Sequence, residues 1–320
     1  MNTIAITGAS GFIGKRLVAD LLREGGYQIR VLSRDKQRDL HEQRFGQGVE
    51  IFEGDVSDPA SLKGFLTPAC TVINLVYLWN AGEKSNLECT HNLLAACKDA
   101  NVARLIHCST ADVAGRAPDD LIDEKTLCRP ITEYGTTKLK IEQSIINAAK
   151  DHFDAVILRP TAVLGIGGEQ LKKLAADIGS KKRWKNYLKS CLFGRRRMNL
   201  VPVANVSAAI LFLSRYTGRF EGEIFIVSDD DDPNNNFIDV EQFLMNALGL
   251  KKYPLPQLPI PLTLLKCLLM LMGRNNINPR RNFDPGKLNK LGFKKPLSLN
   301  EGLAEYAAWY RDSHPDERAS

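Results

Sequence analysis

The stretch that most constrains this chain is Thr7-Gly8-Ala9-Ser10-Gly11-Phe12-Ile13-Gly14, set between the apolar run Ile4-Ala5-Ile6 and an amphipathic segment at 15–23. That order reads as a strand, a glycine turn and a helix whose first N–H groups face the turn. Those donors have no partner inside the helix and carry partial positive charge, so they attract phosphate. Gly8 allows the tight turn, Gly11 lets the backbone approach a pyrophosphate, and Gly14 lets the helix lie close on the strand. A dinucleotide site is the expectation, with Ser10, Phe12 and Ile13 part of the same cradle.

Further apolar runs at 28–32, 49–53, 72–76, 105–108 and 155–158 read as strands, and 59–65, 86–100 and 134–150 as helices. Continuously apolar strands alternating with helices imply a parallel sheet covered on both faces, the doubly wound α/β architecture, whose ligands sit beyond the carboxyl ends of the strands. On the helix at 86–100, Leu87, Leu94 and Ala95 are expected to share a face, with Asn86 and His91 off it. Beyond Arg159-Pro160 the alternation lapses into a polar, basic insertion at 169–198, and sheet-like patterning resumes at 200–203, 207–216 and 224–227. A polar turn-rich loop is expected at 229–236, an irregular helical region from 237, and a terminal amphipathic helix at 297–310. The predicted division is a dinucleotide-binding domain over 1–165, rejoined by 200–228, and a smaller C-terminal lobe of 166–199 and 229–320.

The 320 residues carry a net charge of +6, which suits an anionic partner: nucleic acid, a membrane surface or a phosphorylated small molecule. Seven scattered cysteines, odd in number and without CxxC spacing, support neither a disulfide framework nor a metal site. A reducing, cytoplasmic compartment is the expectation, and the immediate entry into a strand leaves no room for a signal peptide. The most apolar stretch, 258–272, holds Pro259, Pro261 and Lys266 and is shorter than the roughly 20 residues of a membrane helix. Disorder is expected only at 313–320.

Tyr134 and Lys138 are four apart on a predicted helix and share a face. An ammonium beside a phenol favours the phenolate, lowering a pKa that starts near ~10 toward a value useful for proton transfer. The preceding strand ends in Ser109-Thr110, whose hydroxyls are expected at the same edge. A hydroxyl donor, a tyrosine and a lysine beside a nicotinamide can move a hydride and a proton to or from a C–O centre.

TGASGFIG at 7–14, Gly54-Asp55-Val56, Ser109-Thr110, YGTTK at 134–138 and Leu158-Arg159-Pro160 together resemble the extended short-chain dehydrogenase/reductases, the NAD(P)-dependent epimerase/dehydratase group. LGFKKPLSLNEGLAEYAAWY at 291–310 resembles the tail of its nucleotide-sugar members. The resemblance implies a Rossmann-type domain with a C-terminal substrate lobe. It implies that Gly8, Gly11 and Gly14 hold the pyrophosphate, that Asp55 and Val56 flank the adenine, and that Leu75, Val76 and Pro160 line the coenzyme. Asn86 would sit near the ribose or nicotinamide, and Lys138 would bond the ribose while tuning Tyr134. Tyr134 would exchange the proton with the substrate oxygen, Thr110 would bond that oxygen, and Ser109 would lie nearby. Two of these have plainer alternatives: Asp55 as a turn cap and Asn86 as a helix cap.

After the second strand, Ser33-Arg34-Asp35 places an arginine where a 2′-phosphate calls for a cation, so NADP(H) is favoured over NAD(H). Departures from the family pattern also matter. Thr110-Ala111-Asp112 lacks the Asp-Glu pair of sugar 4,6-dehydratases, which disfavours dehydration; Asn74-Leu75-Val76-Tyr77 and Ala114 alter the pocket wall.

Lys181, Lys182, Arg183, Lys185, Lys189, Arg195, Arg196 and Arg197 fall between 178 and 198 without one acid. In the resembled family this segment belongs to the substrate lobe, where a nucleotide diphosphate is neutralised. Arg195, Arg196, Arg197, Asn199 and Arg280, with Arg281 beside it, are the candidate substrate contacts, and Trp184, Tyr187 or Phe193 could stack on a base. A solvated basic surface is the alternative, and no recognised nucleic-acid module accompanies the run. The apolar segment at 259–272 suits core or subunit packing or shallow contact with a membrane surface. The resemblance also implies a homodimer through the helices at 86–100 and 134–150.

The expected activity is oxidoreduction at C4 of a nucleotide-diphosphate sugar, by 4-keto reduction or 4-epimerisation in polysaccharide biosynthesis, with Tyr134 as acid and base and no metal. The alternatives are a reductase of a steroid- or flavonoid-like alcohol and a dinucleotide-sensing regulator without turnover.

Overall fold

A computed structural model describes residues 2–180, 182–273 and 278–314. From the amino terminus, β1 (Asn2–Thr7) leads through the glycine turn into α1 (Phe12–Glu24), then β2 (Tyr27–Ser33), α2 (Lys36–His41) and β3 (Val49–Glu53). A 3₁₀ turn at Pro59–Leu62 precedes β4 (Thr71–Asn74), α3 (Gly82–Asp99), β5 (Arg104–Cys108), β6 (Leu121–Ile122), α4 (Glu133–Ala149) and β7 (Asp154–Pro160). There follow β8 (Ala162–Leu164), α5 (Lys172–Gly179), α6 (Arg183–Phe193), β9 (Leu200–Pro202), α7 (Val203–Arg215) and β10 (Glu223–Val227). The chain ends through α8 (Phe237–Ala247), α9 (Leu262–Leu271), β11 (Asn282–Phe283), α10 (Gly286–Lys290) and α11 (Leu299–Ser313).

Seven strands form one sheet in the order β10-β7-β5-β4-β1-β2-β3. β1 runs parallel to β2 and β4, β2 to β3, β4 to β5, and β5 to β7. This is the doubly wound, Rossmann-like arrangement the sequence predicts. Strand order reverses between β1 and β4, so the glycine turn and the chain leaving β4 lie together at the switch point, where such sheets bind ligands. The buried stripes of α3 and α4 explain their docking: Cys89, Leu93 and Cys97 join Ile141 and Ile145 in one apolar cluster with Val72, Leu105 and Ala155 of the sheet. Each fully buried isoleucine there stabilises the fold by on the order of 2 kcal/mol.

The chain divides into two compact units. The first comprises residues up to Val113, Pro130–Arg159 and Ser207–Phe225; the second comprises Ala114–Arg129, Pro160–Val206 and the chain from Ile226. Residues 114–129 therefore group with the second unit, which is about as long as the first rather than a smaller lobe. The run at 200–203 does not enter the main sheet: β9 pairs with β8 in a separate two-stranded sheet. α3 begins at Gly82, and its buried stripe is Asn86, Cys89, Thr90, Leu93, Leu94 and Cys97, while Ala95, half a turn round the helix from Asn86, is exposed. The basic insertion holds two helices, α5 and α6, and Ser313 ends α11 instead of opening a disordered tail; 315–320 lie outside the described residues.

The second unit has its own core, in which Leu164, Ile178, Leu200, Val240, Leu244, Leu303 and Tyr306 pack together. Its least expected feature is the 229–236 loop, read from sequence as a polar turn but buried in part as a hydrogen-bonded hub. Asp230 accepts from Asn199 Nδ2 (2.6 Å), Phe283 N (2.8 Å) and Asn235 Nδ2 (3.1 Å). Asp229 pairs with Lys295 at 3.3 Å and with the Asn205 amide. Burial raises both carboxyls to about 6 despite these partners.

Candidate active site

The glycine turn has the geometry its spacing predicts. Gly8 sits at φ +77°, and a Cβ there would stand 3.0 Å from the Leu75 carbonyl carbon. At Gly14 a Cβ would collide with the carbonyl oxygens of Gly8 and Ala9. Gly11 N donates to Gly8 O at 3.0 Å and closes the turn. Helix α1 then opens with no side chain capping it and no acid in its first turn. Its first N–H groups are thus left for an outside acceptor, as a pyrophosphate site requires. Ser10 lies in the turn, and Phe12 and Ile13 open α1.

Leu75 and Val76 follow β4 and are half-buried beside the turn, with Leu75 N bonded to Thr7 O. After β2, Arg34 is exposed, while Asp35 turns its carboxylate onto Arg38 N to cap α2. Ser33 is buried and donates to Asp39 at 2.5 Å. The polar cleft of about 410 Å³ lined by Asn2, Thr71 and Arg104 lies at the opposite edge, where strands enter the sheet, away from these groups.

Thr132 caps α4 through Gly135 N and donates to Asp112 Oδ2 at 2.7 Å, which fixes the helix start beside the exit of β5. Tyr134 and Lys138 follow on the first turns. Lys138 is buried and its Nζ donates to Cys108 O, the last carbonyl of β5, at 2.8 Å. Burial pushes this ammonium down to about 8. Tyr134 is packed between aromatic neighbours: Trp79 stacks on it at 4.8 Å and Tyr77 meets it edge-on at 4.8 Å. Burial raises the phenol above its ordinary value, and the nearby Thr110 hydroxyl pulls the other way. The expected lowering of the phenol by Lys138 does not occur: burial dominates, and the only pull downward comes from Thr110. Thr110, Tyr134 and Lys138 are nonetheless gathered at one strand end.

Other candidates are committed elsewhere. Ser109 donates to Glu142 Oε1 at 2.5 Å, and Glu142 holds Arg159 at 2.6 and 3.0 Å; all three are buried. Ser109 thus faces an internal ion pair and not the Tyr134 hydroxyl. Asn86 accepts from Leu78 N (2.8 Å) and donates to Leu78 O (3.0 Å) and Gly82 O (2.8 Å), bracing the loop after β4 with every side-chain bond in use nearby. It neither caps α3 nor offers an amide to a ribose. Asp55 accepts from Ser57 N and Oγ in a local turn, and the Val56 side chain is in the core cluster. Pro160 is buried at the end of β7.

Sequence reasoning missed Glu142, the Tyr77–Trp79 pair and a buried relay. Thr7 Oγ1 donates to Asn74 Oδ1 at 2.8 Å, and Asn74 Nδ2 donates to His107 Nδ1 at 3.2 Å. That donor pattern assigns the ring proton to Nε2, and burial holds His107 neutral, well below its ordinary pKa. The signal was present: Asn74 and His107 interrupt apolar strands, and Glu142 lies one helical turn beyond Lys138.

In the second unit most of the basic candidates serve the fold. Arg197 donates to Asp232 O (3.0 Å) and Pro233 O (3.3 Å), and Asn199, at φ +52°, is tied to Asp230 and Arg281 O. Arg281 is buried and bonds the Gly115 and Ala117 carbonyls. Arg183 bonds the Lys251 and Lys252 carbonyls, and Lys189 pairs with Asp177 at 2.7 Å. Arg196 packs over the Phe193 ring. Arg195 and Arg280 are exposed. Tyr187 and Phe193 are packed against Tyr253 and Phe237, leaving Trp184 as the exposed ring of the three. Lys181 lies outside the described residues.

Comparison with known proteins agrees with the fold and with the turn. The model of the NAD dependent epimerase/dehydratase family matches residues 4–227. The chain is 25% identical, over an alignment of 334 positions covering 96% of it and 94% of the relative, to the UDP-glucose 4-epimerase of Vibrio cholerae. It is 28% identical over 236 residues, 70% of this chain and 67% of the other, to the 4-hydroxy-2-methyl-3-oxo-4-farnesyl-3,4-dihydroquinoline-1-oxide ketoreductase of Stigmatella aurantiaca. Among solved structures, the UDP-glucuronic acid 4-epimerase of Bacillus cereus, in complex with UDP-glucuronic acid and NAD, superposes with a TM-score of 0.74 at 19% identity, over 98% of this chain and 100% of that one. The open glycine turn at the switch point and the match across both halves of the sheet lead to one conclusion: the chain belongs to the NAD-dependent epimerase/dehydratase family, a family of enzymes.

Proposed function

We propose that this protein is an NADP(H)-preferring oxidoreductase acting at C4 of a nucleotide-linked sugar, with reduction of a 4-keto group as its direction. The observation that carries the proposal is the gathering of Thr110, Tyr134 and Lys138 at the carboxyl end of β5. The residues present fit a dinucleotide: the uncapped start of α1 offers N–H groups to the pyrophosphate, and Gly8, Gly11 and Gly14 keep that approach clear. When bound, the coenzyme supplies the hydride. Tyr134 gives its proton to the substrate oxygen, and Thr110 Oγ1 orients that oxygen. A phenol that carries its proton can give it to a carbonyl oxygen as the hydride arrives at carbon, the direction of reduction. Lys138, anchored on Cys108 O and lying over the Tyr77 ring, would bond the coenzyme ribose.

Exposed Arg34, with Asp35 turned to cap α2, supports the 2′-phosphate preference. Arg195 and Arg280 are the proposed contacts of the nucleotide diphosphate, and the second unit is the substrate-binding lobe. A homodimer through α3 and α4 completes the proposal; sedimentation velocity tests it. Incubation with NADPH and a UDP-linked 4-keto-6-deoxy sugar tests the activity. Stoichiometric consumption of NADPH is the expected result, and interconversion of two UDP-sugars without consumption would make the protein an epimerase instead.

One observation favours a second substrate class. Tyr77 and the exposed Trp79 make an aromatic wall against Tyr134, which suits an apolar ketone such as an isoprenoid or polycyclic one. NADPH oxidation by such ketones, with none by UDP-sugars, would select it.

A further inference from the structure

We propose that α6, the 251–261 connector and α9 of the second unit form a surface that docks on an anionic lipid bilayer. Helix α9 buries Leu265 and Leu269 on its inner face. Its opposite face is apolar as well: Leu264 is 50% exposed, Met270 56% and Leu271 85%, with exposed Cys267 among them and Lys266 at the flank. Residues 264, 267 and 271 follow helical spacing, so they form one outward stripe. A helix turned to water carries polar groups there. Leu258 of the connector, 73% exposed, and Trp184 and Leu188 of α6 add to the apolar surface.

The connector is bonded to α6 along its length and runs directly into α9. Tyr187 donates to Pro256 O at 3.0 Å, Ile260 N donates to Cys191 O at 3.0 Å, and Arg183 bonds the Lys251 and Lys252 carbonyls. Charge identifies the occupant. Lys182, Arg183, Lys185, Lys251, Lys252 and Lys266 are exposed, and the sequence has no acid between Asp177 and Glu221 or between Glu241 and Asp284. A second copy seated here would bring like charges together, whereas acidic headgroups neutralise them. No helix among the described residues is long and apolar enough to cross a membrane. The ten residues of α9 span about 15 Å and would lie in the plane of the interface.

The surface is independent of the substrate proposed above, and none of its residues is among Thr110, Tyr134 and Lys138 or the proposed diphosphate contacts Arg195 and Arg280. Flotation of the full chain with phosphatidylcholine vesicles, with and without phosphatidylglycerol, tests it. Binding is expected to require phosphatidylglycerol and to weaken with salt. Leu264→Ser with Leu271→Ser is expected to lower vesicle affinity by more than about tenfold while leaving the melting temperature and turnover of a soluble substrate unchanged. Lys182→Glu with Lys185→Glu and Lys266→Glu is expected to abolish the phosphatidylglycerol dependence. The proposal is overturned by absence of binding to either vesicle, by full binding of the double serine variant, or by an oligomer in solution that this variant dissociates, which would assign the face to a second copy.

Discussion

Two regions of the chain carry the residue types of a binding surface, and the structure treats them differently. At the carboxyl edge of the main sheet, α1 opens without a cap and Tyr134 and Thr110 keep their hydroxyls beside each other. In the segment around α6 and β9, Arg183, Lys189, Arg197 and Asn199 spend their donors on carbonyls and carboxylates of their own unit. Residue type and spacing announce a capacity for hydrogen bonds. Function depends on the part of that capacity the fold leaves unspent.

The largest expected effect belongs to the first region. Tyr134→Phe keeps the ring that packs against Trp79 and Tyr77 and removes only the hydroxyl, the proposed proton carrier. Turnover should fall by about a thousandfold, with coenzyme affinity and melting temperature nearly unchanged. Calorimetric titration of NADP(H) alongside the rate assay checks both halves. Residual turnover near that of the parent would place the proton donor elsewhere.

Glu142→Leu comes next. The carboxylate is buried and holds Arg159 bidentately, so its removal strips that guanidinium of a compensating charge and should cost about 3–5 kcal/mol in denaturant unfolding. Adding Arg159→Leu should recover much of the loss. No recovery would mean that Glu142 acts mainly through Ser109.

Lys138→Met sharpens the comparison through pH. The folded chain releases the Lys138 proton near 8 and the unfolded chain near its ordinary 10.5, so the unfolded state binds more protons between these values. The cost of burying the ammonium is therefore full below pH 8 and fades as pH rises toward 10.5. The stability of the parent relative to the methionine variant should improve by up to about 3 kcal/mol across that window. A gap that does not change with pH would show that burial leaves the Lys138 ammonium at its ordinary pKa.

The legible part of the fold was its periodicity. The strands from β1 to β7 in the main sheet and the helices α3 and α4 follow from apolar runs and their spacing, because each must bury a defined face. The glycine turn was legible for a stricter reason: at Gly14 no other side chain clears the Gly8 and Ala9 carbonyls. What stayed hidden were long-range pairings. Asp230 looks like one more loop acid until Phe283 N, 53 residues away, is seen to need it. Ser109 and Thr110 are neighbours in sequence, yet strand alternation sends one toward Glu142 and leaves the other near Tyr134. Asn86 looked available because its partners, Leu78 and Gly82, offer only backbone groups that every sequence contains.

The smallest effects test the second region, where Arg195 and Arg197 stand two residues apart with opposite fates. Arg197 bonds two carbonyls of the 229–236 loop, so Arg197→Ala should cost about 1–2 kcal/mol of stability and leave KM almost unchanged. Arg195 is exposed and has no hydrogen bond or ion pair among the described residues. Arg195→Ala should leave stability within about 0.5 kcal/mol. If Arg195 meets a diphosphate at the rim, its loss should raise KM for the nucleotide sugar several-fold at unchanged kcat, and the increase should shrink with salt, since an exposed charge acts through a screened field. Equal KM values for the two alanine variants would erase the distinction between spent and unspent cations. The basic segment would then be a solvated surface, and the nucleotide would have to be held by other residues.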